Sequence, residues 1–181
     1  DDAAIAVLSA VPSGAGVARV GVFGDASPEQ VAVRADRLGL DVVQLHADPD
    51  ARVIADVRGL WSGQVWAVLR IGGGSAVPMA ASDLFDVADA VVLDARVPGK
   101  LGGTGVALHW NELRERMETF RTRRARLVLA GGLRPENVAS AVDELHPDVV
   151  DVSSGVEARV GVKDHGRMRA FRDAVHAMQI R

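Results

Sequence analysis

Several segments of this chain hold residues suited to chemistry, and each directly follows a short apolar run. Asp94 ends the run Val91-Val92-Leu93. A carboxyl at that position is expected inside the mouth of the fold and partly desolvated. Desolvation disfavours the charged form and suits a carboxyl to general-acid work. Gly131-Gly132-Leu133 follows a second run, and Ser153-Ser154-Gly155 follows the next. Glycines let the backbone approach an anion closely, so that unpaired N–H groups can point at phosphate oxygens. Each segment also has a plain structural reading, as a tight turn and as a helix cap. Occurring together at the ends of adjacent strands, they point to a phosphate cradle. Gln44 and His46, at the end of Val43-Gln44-Leu45, and Arg70, before Gly72-Gly73-Gly74-Ser75, complete the expected lining of a substrate pocket.

Some of these assignments have alternatives that spacing leaves open. Asp94 could cap a helix or pair with Arg96 or Lys100, and His46 could cap the helix that follows it. His109, His146, His165 and His176 show no i, i+4 pairing with each other or with Glu, so no metalloprotease-type helix is present. No metal site is expected. Arg121, Arg123, Arg124 and Arg126 cluster at a helix end, where cations are favoured by the helix dipole.

The elements that must position these residues alternate regularly. Strands are expected at Ala18–Phe23, Asp41–Leu45, Gln64–Ile71, Ala90–Asp94, Arg126–Ala130 and Asp148–Val152. Most are continuously apolar, as parallel strands are when both faces are buried. Ser27, Pro28 and Gln30 form a capping box ahead of a helix with Val31, Ala35 and Leu38 on one face. Pro135 is expected to open a helix with Val138, Ala141, Val142 and Leu145 inward. Trp110, Leu113, Met117 and Phe120 form a third stripe, and Asp164 caps a helix with Met168, Phe171, Val175 and Met178 inward. Asp1 to Val11 reads as a helix with Ile5, Leu8 and Val11 inside. Strand starts recur about every 23–25 residues, with one longer step, which is the period of a βα unit. A doubly wound sheet and a (β/α)8 barrel both fit, and both place ligands at the C-terminal ends of the strands.

Composition narrows the function classes. With 181 residues a single domain is expected, spanning 1–181 with no linker. The net charge of −3 excludes affinity for nucleic acid built on phosphate neutralisation. No cysteine is present, so disulfides, Cys-zinc sites and a Cys nucleophile are excluded within these residues. No apolar run is long enough for a membrane helix, and no leader is visible, so a cytoplasmic protein is the default expectation.

The strand-end segments together resemble the phosphoribosylanthranilate isomerase family of tryptophan biosynthesis. The matching stretches are Val20-Gly21-Val22-Phe23, Val43-Gln44-Leu45-His46, Leu93-Asp94, and Gly102-Gly103-Thr104-Gly105 with Trp110. They continue through the run from Leu129 to Val138, then Asp151-Val152-Ser153-Ser154-Gly155-Val156-Glu157 and Gly161-Val162-Lys163-Asp164. The resemblance implies a (β/α)8 TIM barrel, here represented by its last six βα units. It implies an Amadori rearrangement of N-(5-phosphoribosyl)anthranilate by acid–base catalysis, with no metal or organic cofactor. It puts the general acid on Asp94 and the phosphate-binding backbone on Gly131, Gly132, Leu133, Ser153, Ser154 and Gly155. The implied partner is a small phosphosugar, with the protein a monomer or homodimer, and fusion to another enzyme of the pathway is open.

The departures are specific. The family's general base is a cysteine at the end of the first strand, in a Lys-Ile-Cys-Gly segment, and this chain has neither. The Ser-Pro-Arg type loop after the second strand, whose arginine is expected to meet the anthranilate, is also missing. Matched to the family, Asp1–Val11 is the second helix, so strand 1, helix 1 and strand 2 are expected upstream and the barrel is N-terminally incomplete. Ala47 stands where the family usually has Gly, and Leu108-His109-Trp110 where Phe-Asp-Trp is usual. Two other readings stay open: another phosphosugar barrel enzyme of the histidine or tryptophan pathways, and a catalytically incomplete barrel that binds its ligand without turnover. The first would show catalytic Lys and Glu at several strand ends, and those are not seen.

Overall fold

The computed structural model describes residues 16–71, 81–94, 110–120 and 123–179. Six parallel strands alternate with helices. They are β1 (Val20–Phe23), α1 (Pro28–Leu38), β2 (Val42–Leu45), α2 (Ala51–Leu60), β3 (Gln64–Arg70), α3 (Ala81–Val87), β4 (Ala90–Asp94), α4 (Trp110–Phe120), β5 (Arg126–Ala130), α5 (Val138–Leu145) and β6 (Val149–Val150). A 3₁₀ turn (Ser154–Val156), an antiparallel hairpin of β7 (Glu157–Arg159) and β8 (Val162–Lys163), and α6 (His165–Gln179) follow. The expected helix over Asp1–Val11 and the segments Gly72–Ser75 and Gly102–Gly105 lie outside the described residues.

Strand order separates the two architectures. The sheet runs β1-β2-β3-β4-β5-β6 with every pair parallel. A doubly wound sheet reverses direction at a switch point, and this one never does. The core agrees. One large cluster joins strand residues such as Val43, Val65 and Leu129 to helix residues such as Val31, Ile54 and Val138. A second cluster holds Val68, Ala90, Val92, Val128 and Ala130, with Trp66 and Val149 against it, all of them from strands. Helices cover one face of the sheet, and the other face packs on itself. That is the lumen of a (β/α) barrel.

Local chemistry fixes the helix ends. Ser27 Oγ accepts from the Gln30 N–H and Gln30 Oε1 accepts from the Ser27 N–H, completing the expected capping box. Gly39 ends α1 in the left-handed region at φ 57°. Asp50, not His46, caps α2 by accepting from the Val53 N–H. Pro135 does not open α5; the helix starts at Val138, because Asn137 Oδ1 accepts from the Arg134 N–H and holds residues 134–137 in a turn. In α6, Phe171 is buried as expected, but Met168 is 46% exposed. α6 packs along α5 near the open end of the sheet, so less of its surface is covered. Phe120 of α4 stacks on Phe85 of α3, ring centroids 4.6 Å apart.

Three aspartates tie neighbouring strands together at their N-terminal ends. Asp41, Asp89 and Asp148 each stand one residue before a strand. Their carboxylates accept from the N–H groups of Arg19, Val65 and Leu127, at 2.7, 2.8 and 2.7 Å. Each N–H lies at the start of the preceding strand, where the parallel ladder offers it no carbonyl. Asp89 also pairs with Arg58 at 2.5 Å and Arg124 at 3.5 Å. Burial pushes its pKa up, but the Arg58 hydrogen bond, the Val65 N–H and the charges of Arg58 and Arg124 outweigh this and hold it below the ordinary value. Asp89→Ala is expected to destabilise the fold by about 2–4 kcal/mol, since an N–H and a guanidinium both lose their partner. Denaturant midpoints measure this. A depressed carboxyl contributes stability above its unfolded pKa and loses it as pH falls through the folded value. The gap between wild type and Asp89→Asn therefore closes in acid.

The two ends of the sheet are open. Among the described residues β1 and β6 each pair on one side only. On β1 the residues on the lumen face, Val20 and Val22, are 41% and 64% exposed.

Candidate active site

The strand register assembles the site. Arg70, Asp94 and Ala130 are cross-strand neighbours at the C-terminal ends of β3, β4 and β5. Asp151 lies one residue beyond the Leu129–Val150 pair that joins β5 to β6. Side chains alternate along a strand, so Asp94 points the same way as Val92, into the lumen. It is 8% exposed, and its Oδ1 is buried with no hydrogen-bond partner among the described residues. Arg96 and Lys100, the pairing partners offered by the sequence, lie outside the described residues.

The two glycine-containing turns meet directly. Gly131 and Gly132 take φ values of 87° and 67°, which L side chains rarely adopt. Gly155 packs onto the first turn so closely that an added Cβ would lie 1.8 Å from the Leu133 carbonyl oxygen. Ser153 and Ser154 lead into the short 3₁₀ turn, and Ser153 makes no side-chain cap hydrogen bond there. Ser153 is therefore not a conventional helix cap. Asn137 Nδ2 donates to the Gly132 carbonyl at 3.1 Å. The N–H groups of Leu133 and Ser154 find no partner among the described residues. Glycine turns whose N–H groups are left without a backbone partner, at the C-terminal ends of parallel strands, are a setting suited to anions.

Asp151 was not singled out in the sequence, although it obeys the rule that found Asp94: a carboxylate closing an apolar strand. Solvent reaches it at the open mouth. Even so, partial burial disfavours its charge, the Asp94 carboxylate repels it, and Lys163 opposes both only in part, so its pKa is raised. The folded state then binds the Asp151 proton more tightly than the unfolded state, so stability falls as pH rises from the ordinary aspartate value, about 3.9, through the raised one. Asp151→Asn should melt at a higher temperature than wild type at pH 7, with no difference well below pH 4. Thermal melts at the two pH values decide this.

The remaining pocket residues sit differently. Gln44 is 8% exposed and pairs in register with Trp66, four residues below Arg70 on β3. The Nδ1 of His46 is buried without a partner among the described residues. Arg70 is engaged: it donates to Asp48 Oδ2 at 2.8 Å and to the His46 carbonyl at 2.5 Å, bracing the β2–α2 loop. Among the described residues no cluster of three or more His, Cys, Asp or Glu could hold a metal ion, and no helix is long and apolar enough to cross a membrane.

A parallel (β/α) barrel that gathers two adjoining glycine turns and a buried carboxyl at the C-terminal ends of its strands points to a class: barrel enzymes that act on phosphorylated small molecules by acid–base chemistry. The family model for N-(5'-phosphoribosyl)anthranilate isomerase matches residues 4–174. An isomerase of this name from Pseudomonas fluorescens (strain Pf0-1) is 40% identical over 159 residues, which is 88% of this chain and 72% of the relative. The crystal structure of phosphoribosyl anthranilate isomerase from Thermotoga maritima superposes with a TM-score of 0.81 at 31% identity, covering 97% of this chain and 80% of that one. A further isomerase structure, in complex with reduced 1-(o-carboxyphenylamino)-1-deoxyribulose 5-phosphate, superposes at 0.75 with 28% identity, covering 97% and 79%. The chain belongs to the phosphoribosylanthranilate isomerase family, isomerases of tryptophan biosynthesis with the TIM-barrel fold.

Proposed function

We propose that this chain carries the acid and phosphate-binding side of an isomerase that rearranges N-(5-phosphoribosyl)anthranilate to 1-(2-carboxyphenylamino)-1-deoxyribulose 5-phosphate. The observation that carries the reading is the junction of Gly155 with Leu133 beside the inward Asp94. Backbone N–H groups of Gly131–Leu133 and Ser153–Gly155 hold the substrate phosphate. Asp94 gives its proton to the ribose ring oxygen. The ring C–O bond breaks as the anthranilate nitrogen donates its electron pair, leaving a protonated Schiff base. A base then takes the C2′ proton, and the enolamine tautomerises to the ketone. Gln44, His46 and Arg70 shape the lower wall and its supporting loop. The co-structure of a relative with a reduced phosphorylated product supports this choice of ligand.

The base is the missing component, because the chain contains no cysteine. The open edges of β1 and β6, and the exposed Val20 and Val22, favour closure of the single barrel domain by two further strands. Leaving such apolar surface in water costs about 25 cal/mol per Å2. We assign the base to that closing segment. The protein would then act on a small soluble substrate in the cytoplasm, as a monomer or homodimer; one T. maritima relative is described as dimeric.

The assay follows loss of the fluorescent anthranilate substrate. The 181-residue chain alone is expected to be inactive, and a longer chain with two closing strands active. Turnover by the chain alone would place the base within these residues. No turnover by either, with ligand still bound, would leave a non-catalytic phosphosugar-binding barrel.

A further inference from the structure

The segment Gly161-Val162-Lys163-Asp164 has no role in the chemistry above, yet it reaches back to the phosphate cradle. Lys163, on β8, donates from Nζ to the Ser153 carbonyl at 2.9 Å, to Ser153 Oγ at 3.4 Å and to Glu157 Oε1 at 2.8 Å. Glu157, on β7, thus holds the ammonium in place; its side chain is 14% exposed. One turn into α6, Arg167 donates from Nε to the Gly155 carbonyl at 3.0 Å and pairs with Glu136, beyond the first glycine turn, at 3.3 Å. Asp164 secures this start of α6 by accepting from the Gly166 and Arg167 N–H groups.

Peptide planarity gives these contacts a consequence. The C=O of one residue and the N–H of the next lie on opposite sides of a rigid unit. A cation fixed on the Ser153 carbonyl therefore turns the Ser154 N–H away from Lys163. Asn137 does the same on the first turn, where its hold on the Gly132 carbonyl orients the Leu133 N–H. We propose that Lys163 is a positioning residue for the phosphate cradle, holding the Ser153 carbonyl so that the turn presents the Ser154 N–H to the ligand, while Arg167 ties the Gly155 carbonyl to the start of α6. The proposal rests on the phosphate reading of these turns. Lys163 also opposes the rise in the Asp151 pKa, so the same ammonium links the cradle to the carboxyl pair.

The geometry separates a positioning lysine from one that touches phosphate itself. If Lys163 works by holding Ser153, releasing it from Glu157 loosens the cradle. If it neutralises the phosphate directly, the same release strengthens binding.

The test is titration of the chain with ribose 5-phosphate, followed by calorimetry and ³¹P resonance, with thermal melts as a check on folding. Wild type is expected to bind and Gly132→Val to fail. Lys163→Met should bind about 10- to 100-fold more weakly, the range for losing a charge-assisted hydrogen bond. Lys163→Arg should recover most of the affinity, and Glu157→Gln should weaken it. Should Lys163→Met not fold, Lys163→Arg and Glu157→Gln still decide the matter. Wild-type affinity in Lys163→Met, or tighter binding by Glu157→Gln, overturns the positioning role while leaving the cradle in place. Equal binding by wild type and Gly132→Val removes the cradle itself, and this proposal with it.

Discussion

Asp94→Asn is expected to lower turnover by roughly 10²–10⁴-fold in any active form of the protein, the usual contribution of a positioned general acid. The amide keeps the size and shape of the carboxyl but has no proton of suitable acidity to give to the ring oxygen. The site is built to notice the difference. Asp94 ends a fully buried strand, and its Oδ1 lacks a partner among the described residues. Affinity for ribose 5-phosphate should be little changed, because the proposed phosphate cradle is backbone at the ends of two other strands. The KM-against-kcat split is thus the informative readout: kcat falls and KM stays close to wild type. Unchanged turnover in Asp94→Asn would remove the acid from this position.

Gly155→Ala should have the opposite signature. The new Cβ would sit 1.8 Å from the Leu133 carbonyl oxygen and 2.9 Å from its carbon. Both are backbone atoms, so no side chain can swing aside and the turns must separate. Separation breaks up the cradle, and affinity for ribose 5-phosphate should fall tenfold or more, with a stability loss of about 1–3 kcal/mol typical of overpacking. Gly24→Ala is the control, since an added Cβ there meets nothing within 4 Å. Calorimetric titration and thermal melts measure both quantities. Wild-type affinity in Gly155→Ala would show that contact between the turns is irrelevant to the ligand.

The proposed site has parts with different sensitivities. On the proposed reading, backbone geometry holds the anion, one buried carboxyl supplies the proton, and salt-bridged side chains on the terminal hairpin and helix brace the backbone. A substitution in one part should leave a kinetic or binding signature distinct from the others.

Much of this was fixed by local composition. Continuous apolar runs such as Ala90–Asp94 and Arg126–Ala130 became strands with those same limits, because only a sheet buried on both faces tolerates such runs. The capping box at Ser27 acted as read, since its hydrogen bonds span only three residues. Asp94 and both glycine turns could be placed at strand ends because each follows directly from an apolar run. Other features needed the fold. Barrel and doubly wound sheet share the same βα rhythm, and only the strand order β1 to β6 distinguishes them. The contact of Gly155 with Leu133 joins residues from separate units. The aspartate ties reach across 21 to 24 residues. The grip of Lys163 on Ser153 appears only after the hairpin has folded back. Sequence determines what a residue can do within about one turn or one strand; which residues face one another across the lumen is decided by register, and register exists only once the strands have paired.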